Sequence, residues 1–231
     1  MIVSHEHRFI FLKTKKTAGT SLELALRPFC GDCDIISPIM EDEEGGDTGE
    51  RGPQNWKRHS WWRSKRPLDK RRWFRRSPAD FGFYNHMPAI EAKALLSDDQ
   101  AWNGYFKFAF ERNPWDRQVS HFYYQCRKKP DQTSFAKFMQ GDRRARLNNF
   151  EIYSLDGVAP CVDFLGRYEH LETDLGQVLT TLGLSLDRPL PQAKATQRTS
   201  KSHYRSFYDD RTKATVADWY AREIALLEYR F

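Results

Sequence analysis

Arg8-Phe-Ile-Phe-Leu-Lys-Thr-Lys-Lys-Thr-Ala-Gly-Thr-Ser-Leu22 changes character twice over a short distance. Phe9–Leu12 is an apolar run flanked by charge, the pattern of a short buried strand. Lys16-Thr-Ala-Gly-Thr-Ser21 is a turn of small and hydroxyl residues. Leu22, Leu24, Ala25 and Leu26 then supply the apolar positions of a helix ending near Pro28. Strand, tight loop and helix in this order aim the backbone N–H groups of Thr17 to Ser21 outward at the positive end of the helix dipole. That arrangement cradles an anion. Gly19 permits close approach, Thr20 and Ser21 add hydroxyls, and Lys15 and Lys16 add charge. The nucleoside triphosphate loop G-x-x-x-x-G-K-[ST] places its lysine after the glycine; here both lysines precede Gly19.

Working outward, Tyr105-Phe-Lys-Phe-Ala-Phe110 reads as a second core strand. It runs through Glu111-Arg-Asn-Pro114 into a helix from about Trp115 to Lys128. Cys161-Val-Asp-Phe-Leu-Gly-Arg-Tyr168 reads as a third strand, followed by a helix over His170–Leu182 closed by Gly183. Helices are also expected from His86 to Leu96, with Pro88 in the first turn, over residues 133–150, and over Asp210–Tyr229. Residues 185–203 read as a loop. Apolar strands alternating with helices predict an α/β domain with a parallel sheet covered on both faces. The 231 residues suit a single domain spanning 1–231, with a basic and aromatic insertion at 41–76.

Hydrophobic residues at 39% and aromatics at 14% exclude a disordered chain, and no run approaches the roughly 20 apolar residues of a spanning helix. The formal charge of +6 is unevenly spread. Residues 51–76 carry eleven Lys/Arg against one acid, Asp69, a balance of +10, so the remainder of the chain is at −4. An acidic block (Glu41, Asp42, Glu43, Glu44, Asp47, Glu50) precedes it. The cations interleave with Trp56, Trp61, Trp62, Trp73 and Phe74, which suits an acidic polysaccharide, a single-stranded nucleic acid, or self-association with the acidic block. Cys30 and Cys33 have C-x-x-C spacing, but no second pair follows to complete a zinc site. Ordinary thiols in a reducing compartment are expected. Met1–Arg8 lacks a signal-peptide pattern, so the expected location is cytoplasmic. No EF-hand or zinc signature calls for a metal.

The loop Lys16-Thr-Ala-Gly-Thr-Ser-Leu22 after an apolar strand resembles the 5′-phosphosulfate loop of the sulfotransferases that use 3′-phosphoadenosine 5′-phosphosulfate (PAPS). Phe110-Glu-Arg-Asn-Pro-Trp-Asp-Arg-Gln-Val-Ser120 is similar to that family's 3′-phosphate motif. Asp163-Phe-Leu-Gly-Arg-Tyr-Glu-His-Leu171, Tyr204-Arg-Ser-Phe-Tyr-Asp209 and Tyr229-Arg-Phe231 resemble the carbohydrate branch, Golgi-type and bacterial. The matches run through most of the chain except 41–76. The chain departs from the family pattern at Lys15, where the usual form has proline.

The resemblance implies a P-loop-like nucleotide-binding fold and transfer of a sulfuryl group from PAPS to a hydroxyl, on a carbohydrate by likeness to that branch. Lys15, Lys16, Thr17, Ala18, Gly19, Thr20 and Ser21 would hold the donor's 5′ side, and Arg112 and Ser120 its 3′-phosphate. Lys201, in Thr199-Ser-Lys-Ser202, would lie on a loop closing over the nucleotide. Lys16 would stabilise the leaving phosphate. His86, after Phe81-Gly-Phe-Tyr-Asn85, would be the general base, with Glu111 and Glu169 the carboxylates to consider otherwise. Arg117 is a candidate brace for the loop. The expected partner is a hydroxyl-bearing acceptor such as an anionic glycan, with nucleic acid not expected and no metal required. Two other readings stay open. One is a kinase of related fold, which would want a magnesium-binding Ser/Thr after a loop lysine and a strand-end Asp. The other is a nucleic-acid-binding module acting through the basic segment.

Overall fold

Side chains that alternate along two short neighbouring strands settle the architecture. Ile10, Leu12 and Ala109 point to one face, where they meet Met87, Ala92, Trp102, Ile152 and Tyr153. Phe9, Phe11, Phe108 and Phe110 point to the other, against Leu22, Leu26, Leu175 and Val178. Both faces of the sheet are therefore buried, as the strand–helix alternation predicts. The computed structural model describes residues 1–39, 51–57, 81–96, 99–127, 133–141, 145–191 and 202–231.

Five strands are present among these residues: β1 (Ile2–Ser4), β2 (Phe9–Phe11), β3 (Ile35–Ile36), β4 (Phe106–Glu111) and β5 (Phe164–Arg167). Their order is β3-β1-β2-β4-β5. β2 pairs parallel with β4, and β4 with β5, while β1 runs antiparallel to β2 and β3. The sheet is thus parallel except for β1. The helices are α1 (Gly19–Leu26), α2 (Ala89–Leu95), α3 (Asp99–Gly104), α4 (Pro114–Cys126), α5 (Phe135–Gly141), α6 (Leu171–Thr181), α7 (Asp210–Trp219) and α8 (Ala221–Leu227). The fold is a single α/β domain. None of the described helices is long and apolar enough to cross a membrane.

Several expectations are corrected in detail. Among the described residues, the helix expected from 133 to 150 is α5, followed by a single turn at Phe150–Ile152. The final helix is broken at Tyr220, because that side chain turns into the core. There its hydroxyl donates to Gln118 Oε1 (3.1 Å) and accepts from the Leu147 N–H (2.8 Å). Pro88 lies at the N-cap of α2 rather than inside its first turn.

Most of the expected insertion, residues 41–50 and 58–76, lies outside the described residues. Its described part, residues 51–57, is tied to the sheet edge. Gln54 and Ile36 exchange backbone hydrogen bonds (3.0 and 3.1 Å), and the Gln54 and Asn55 side chains donate to the Asp34 carbonyl (each 2.9 Å). Lys57 bridges to Gly82, and Phe83 N–H donates to the Trp56 carbonyl (2.8 Å).

Candidate active site

β2 and β4 are parallel neighbours, so their carboxyl ends open side by side, the usual place for a ligand in such sheets. From β2 the chain enters the loop before α1. Ala18, the N-cap of α1, sits at φ 60° with no side chain capping the helix, and Lys16 sits at φ 63°. The first N–H groups of a helix have no acceptor of their own. Together with left-handed residues just before them, they form an anion-binding concavity.

The loop is braced from inside. Thr14 Oγ1 donates to the Phe110 carbonyl on β4, so it can only accept from the Thr17 hydroxyl 2.7 Å away. The Thr17 hydroxyl is thereby turned inward, and the residue is fully buried. Gly19 is required by a close approach within the protein: a Cβ there would stand 2.7 Å from Lys13 Cγ. Lys13 is fully buried and its ammonium pairs with Glu23 Oε2 at 2.9 Å, in a cluster that includes Arg27 and the Met1 amino group. Burial pushes the Glu23 carboxyl up, and these cations outweigh it and hold it low.

From β4 the chain turns through Arg112 and Asn113 into α4, whose N-cap Asn113 accepts from the Trp115 and Asp116 N–H groups. Arg112 donates through Nε (3.0 Å) and Nη2 (2.7 Å) to Asp116 Oδ2 and through Nη1 (3.3 Å) to the Lys16 carbonyl. Its guanidinium also lies 3.9 Å over the Tyr168 ring. Three of its five N–H donors are used, which leaves two. Asp116, Ser120 and Tyr124 follow at one-turn intervals on one stripe of α4. The Lys16 ammonium lies 4.3 Å over the Tyr124 ring. Lys16 thus contacts both ends of that stripe, its carbonyl through Arg112 and its ammonium at Tyr124, with the half-exposed Ser120 between them.

His86 approaches from the other side. Its Nδ1 is 3.0 Å from the Lys13 carbonyl. A carbonyl only accepts, so Nδ1 carries the proton and Nε2 keeps its lone pair. Burial, and then the Lys13 charge, hold the imidazole pKa well below 6.5. Its backbone, at φ 60°, is left-handed.

Glu111 and Glu169 are already engaged. Glu111 is fully buried in an ion pair with Arg117, whose other partner is Glu223 (3.5 Å). Burial works against the Arg117 charge, yet Glu111, Tyr220 and Glu223 hold its pKa above the ordinary arginine value. Glu169 accepts from the Asn113 N–H (2.7 Å) and the Tyr229 hydroxyl (3.2 Å). Lys201 lies outside the described residues. All four cysteines are free, and burial pushes the Cys30 thiol up to about 12, far from a reactive thiolate.

The sequence reading missed Tyr124, Tyr168 and Asn149. Tyr124 was detectable as one turn beyond Ser120; Tyr168 and Asn149 carry no local signal. Asn149 is fully buried and bonds both the N–H and the carbonyl of Lys15 (3.0 Å each).

Comparisons with known proteins bear on what this geometry serves. An uncharacterized protein of Archaeoglobus fulgidus is 38% identical over 86 residues, which cover 36% of this chain and 72% of that protein. The crystal structure of a sulfotransferase from Alicyclobacillus acidocaldarius aligns over 97% of this chain and 96% of its own, at 17% identity and a TM-score of 0.41. The sequence profile of the Sulfotransferase family matches residues 1–230, nearly the whole chain, and takes in the loop, the β4–α4 turn and His86 alike. The chain therefore belongs to the sulfotransferase family, and it is an enzyme of sulfuryl transfer.

Proposed function

We propose that the enzyme moves a sulfuryl group from PAPS to a carbohydrate hydroxyl, with Lys16 stabilising the leaving phosphate and His86 taking the acceptor's proton. The observation that carries this reading is that one loop holds both groups. The Lys13 carbonyl fixes the His86 tautomer at its start, and the Lys16 carbonyl, three residues on, accepts from Arg112. The uncapped, left-handed start of α1 fits the 5′ phosphosulfate, and the two remaining Arg112 donors with the Ser120 hydroxyl fit a 3′-phosphate. PAPS supplies the transferable sulfuryl group and a phosphate leaving group.

The protein's own contribution is electrostatic and basic. An ammonium aimed at developing charge in a dry site contributes about 3–4 kcal/mol to the barrier difference. A neutral imidazole with a free Nε2 accepts a hydroxyl proton without first losing its own. Lys201 would add a contact from the loop after residue 191.

An anionic glycan is the acceptor this reading favours. The described flanks of the basic segment meet at Lys57 and Gly82, a few residues before His86, and the intervening sequence carries most of the +10 balance. A positive field of that kind draws an anionic substrate. Neutralising Arg71, Arg72, Arg75 and Arg76 together should raise acceptor KM and flatten its salt dependence while leaving donor affinity unchanged. An unaltered KM at low salt removes the segment from the acceptor site.

The deciding test is calorimetric titration with 3′-phosphoadenosine 5′-phosphate, with thermal shift alongside. A ligand bound only by the native state raises Tm by mass action, and ATP, lacking a 3′-phosphate, should do less. Equal or greater stabilisation by ATP that depends on magnesium would instead favour phosphoryl transfer.

A further inference from the structure

Asn149 is fully buried behind the loop, and all of its amide hydrogen-bonding is spent on two neighbours. Its Oδ1 accepts from the Lys15 N–H (3.0 Å), and its Nδ2 donates to the Lys15 carbonyl (3.0 Å) and to Glu111 Oε1 (3.3 Å). Glu111 is itself fixed by the Arg117 ion pair, by the Arg112 N–H (2.9 Å) and by the Tyr153 hydroxyl (3.3 Å). The amide is wedged between a stationary carboxylate and the peptide groups of residue 15. A flipped amide would set its oxygen against that carboxylate, so its orientation is fixed by the network.

Lys15 and Lys16 occupy the two central positions of a turn. Lys16 has φ 63°, and Lys15 is not among the positive-φ residues. Of the four main hydrogen-bonding turn types, only type II combines a negative φ at the second position with a positive φ at the third. Proline is favoured at that second position because its ring fixes φ. Lysine lacks that restraint but has an N–H, which proline does not, and Asn149 accepts from that N–H.

We infer that Asn149 is a positioning residue that does from outside the turn what a proline would do within it, holding the residue 15 peptide so that the Lys16 ammonium and the N–H cradle face the donor. This rests on the reading of the loop as the donor site. Because half of the clamp runs through the N–H of residue 15, the effects of substitutions at 15 and 149 are coupled, which a merely structural asparagine would not require.

The experiment is a double-mutant cycle on binding of 3′-phosphoadenosine 5′-phosphate by the full chain, with acceptor KM measured in parallel. With lysine at 15, Asn149→Ala should weaken the bisphosphate about tenfold, the size of one or two lost hydrogen bonds, and leave acceptor KM unchanged. In the Lys15→Pro background the same substitution should cost clearly less, no more than about threefold, since the proline ring fixes φ and only the hydrogen bond to the residue 15 carbonyl is left to lose. An equal loss in both backgrounds, or a loss shared equally by acceptor KM, overturns the inference. Should Asn149→Ala not fold, Asn149→Leu, of similar size, is put through the same cycle and read by the same criterion. Wild-type protein that does not bind the bisphosphate removes the donor-site reading itself and this inference with it, an outcome distinct from binding without the coupling.

Discussion

Arg112 and Arg117 stand five residues apart in one motif and look alike in sequence, yet they live in opposite surroundings. Arg117 is entirely enclosed between Glu111 and Glu223 under the Tyr220 ring. Arg112, at the end of β4, spends three donors on Asp116 and Lys16 and keeps two in reserve. Lys13 and Lys16 repeat the contrast across the neighbouring loop: one is buried on Glu23, and the other lies over Tyr124. The inner cations are fully enclosed beside carboxylates of the chain. The outer ones stand at the loop and the β4–α4 turn, Arg112 over Tyr168 and Lys16 over Tyr124. Enclosure, rather than residue type, separates the two kinds of cation.

The sharpest way to break this contrast is Arg117→Met. It leaves Glu111 and Glu223 buried without their cation, and removal of one partner from a buried pair costs about 3–5 kcal/mol. Urea unfolding should show that loss. A loss below about 1 kcal/mol would mean the network is not structural. Lys16→Ala should do the reverse, lowering kcat by about 10²–10³ with Tm nearly intact. An unchanged kcat would move the leaving-group role elsewhere. Arg112→Ala should weaken bisphosphate binding by about 1.5–3 kcal/mol, the range for hydrogen bonds to charged groups, while kcat at saturating donor falls less. Unaltered affinity would place the 3′-phosphate elsewhere.

The smallest effect is in pH. His86 is held neutral by burial and by the Lys13 charge, so its folded pKa lies below the unfolded one. Between the two values the unfolded chain binds more protons, so this group's contribution to stability is present above pH 6.5 and is lost as pH falls. The acceptor kcat/KM should accordingly stay flat down through pH 6.5 and decline only below it. An acid limb at or above 6.5 would be incompatible with His86 as the base in this setting.

Part of this contrast was legible in the sequence and part was not. β2, β4 and β5 were recognisable because each is a run of apolar residues bounded by charge, and α1 because a turn of small residues precedes its leucines. β1 and β3 were not, being only three and two residues long, too short for a period-2 pattern to register. The candidate residues of the Lys16–Ser21 loop and the β4–α4 turn could be named from the sequence because they lie close together in the chain. Asn149 lies 134 residues from the loop it holds, and a lone asparagine beside another gives no local cue. Arg117 and Arg112 could not be told apart, because Glu223 and Tyr168 reach them only through the fold.

The bridge between Lys57 and Gly82 has a consequence for how this enzyme can diversify. Paired residues on adjacent strands lie about 5 Å apart, so residues 57 and 82 stand side by side although they are far apart in the chain. Each doubling of the length of a flexible link between two such points adds only about 0.6 kcal/mol of closure entropy. The length of chain between Lys57 and Gly82 can therefore vary at little cost to the pairing of these two ends, and the sheet and the loop keep their places whatever that length is.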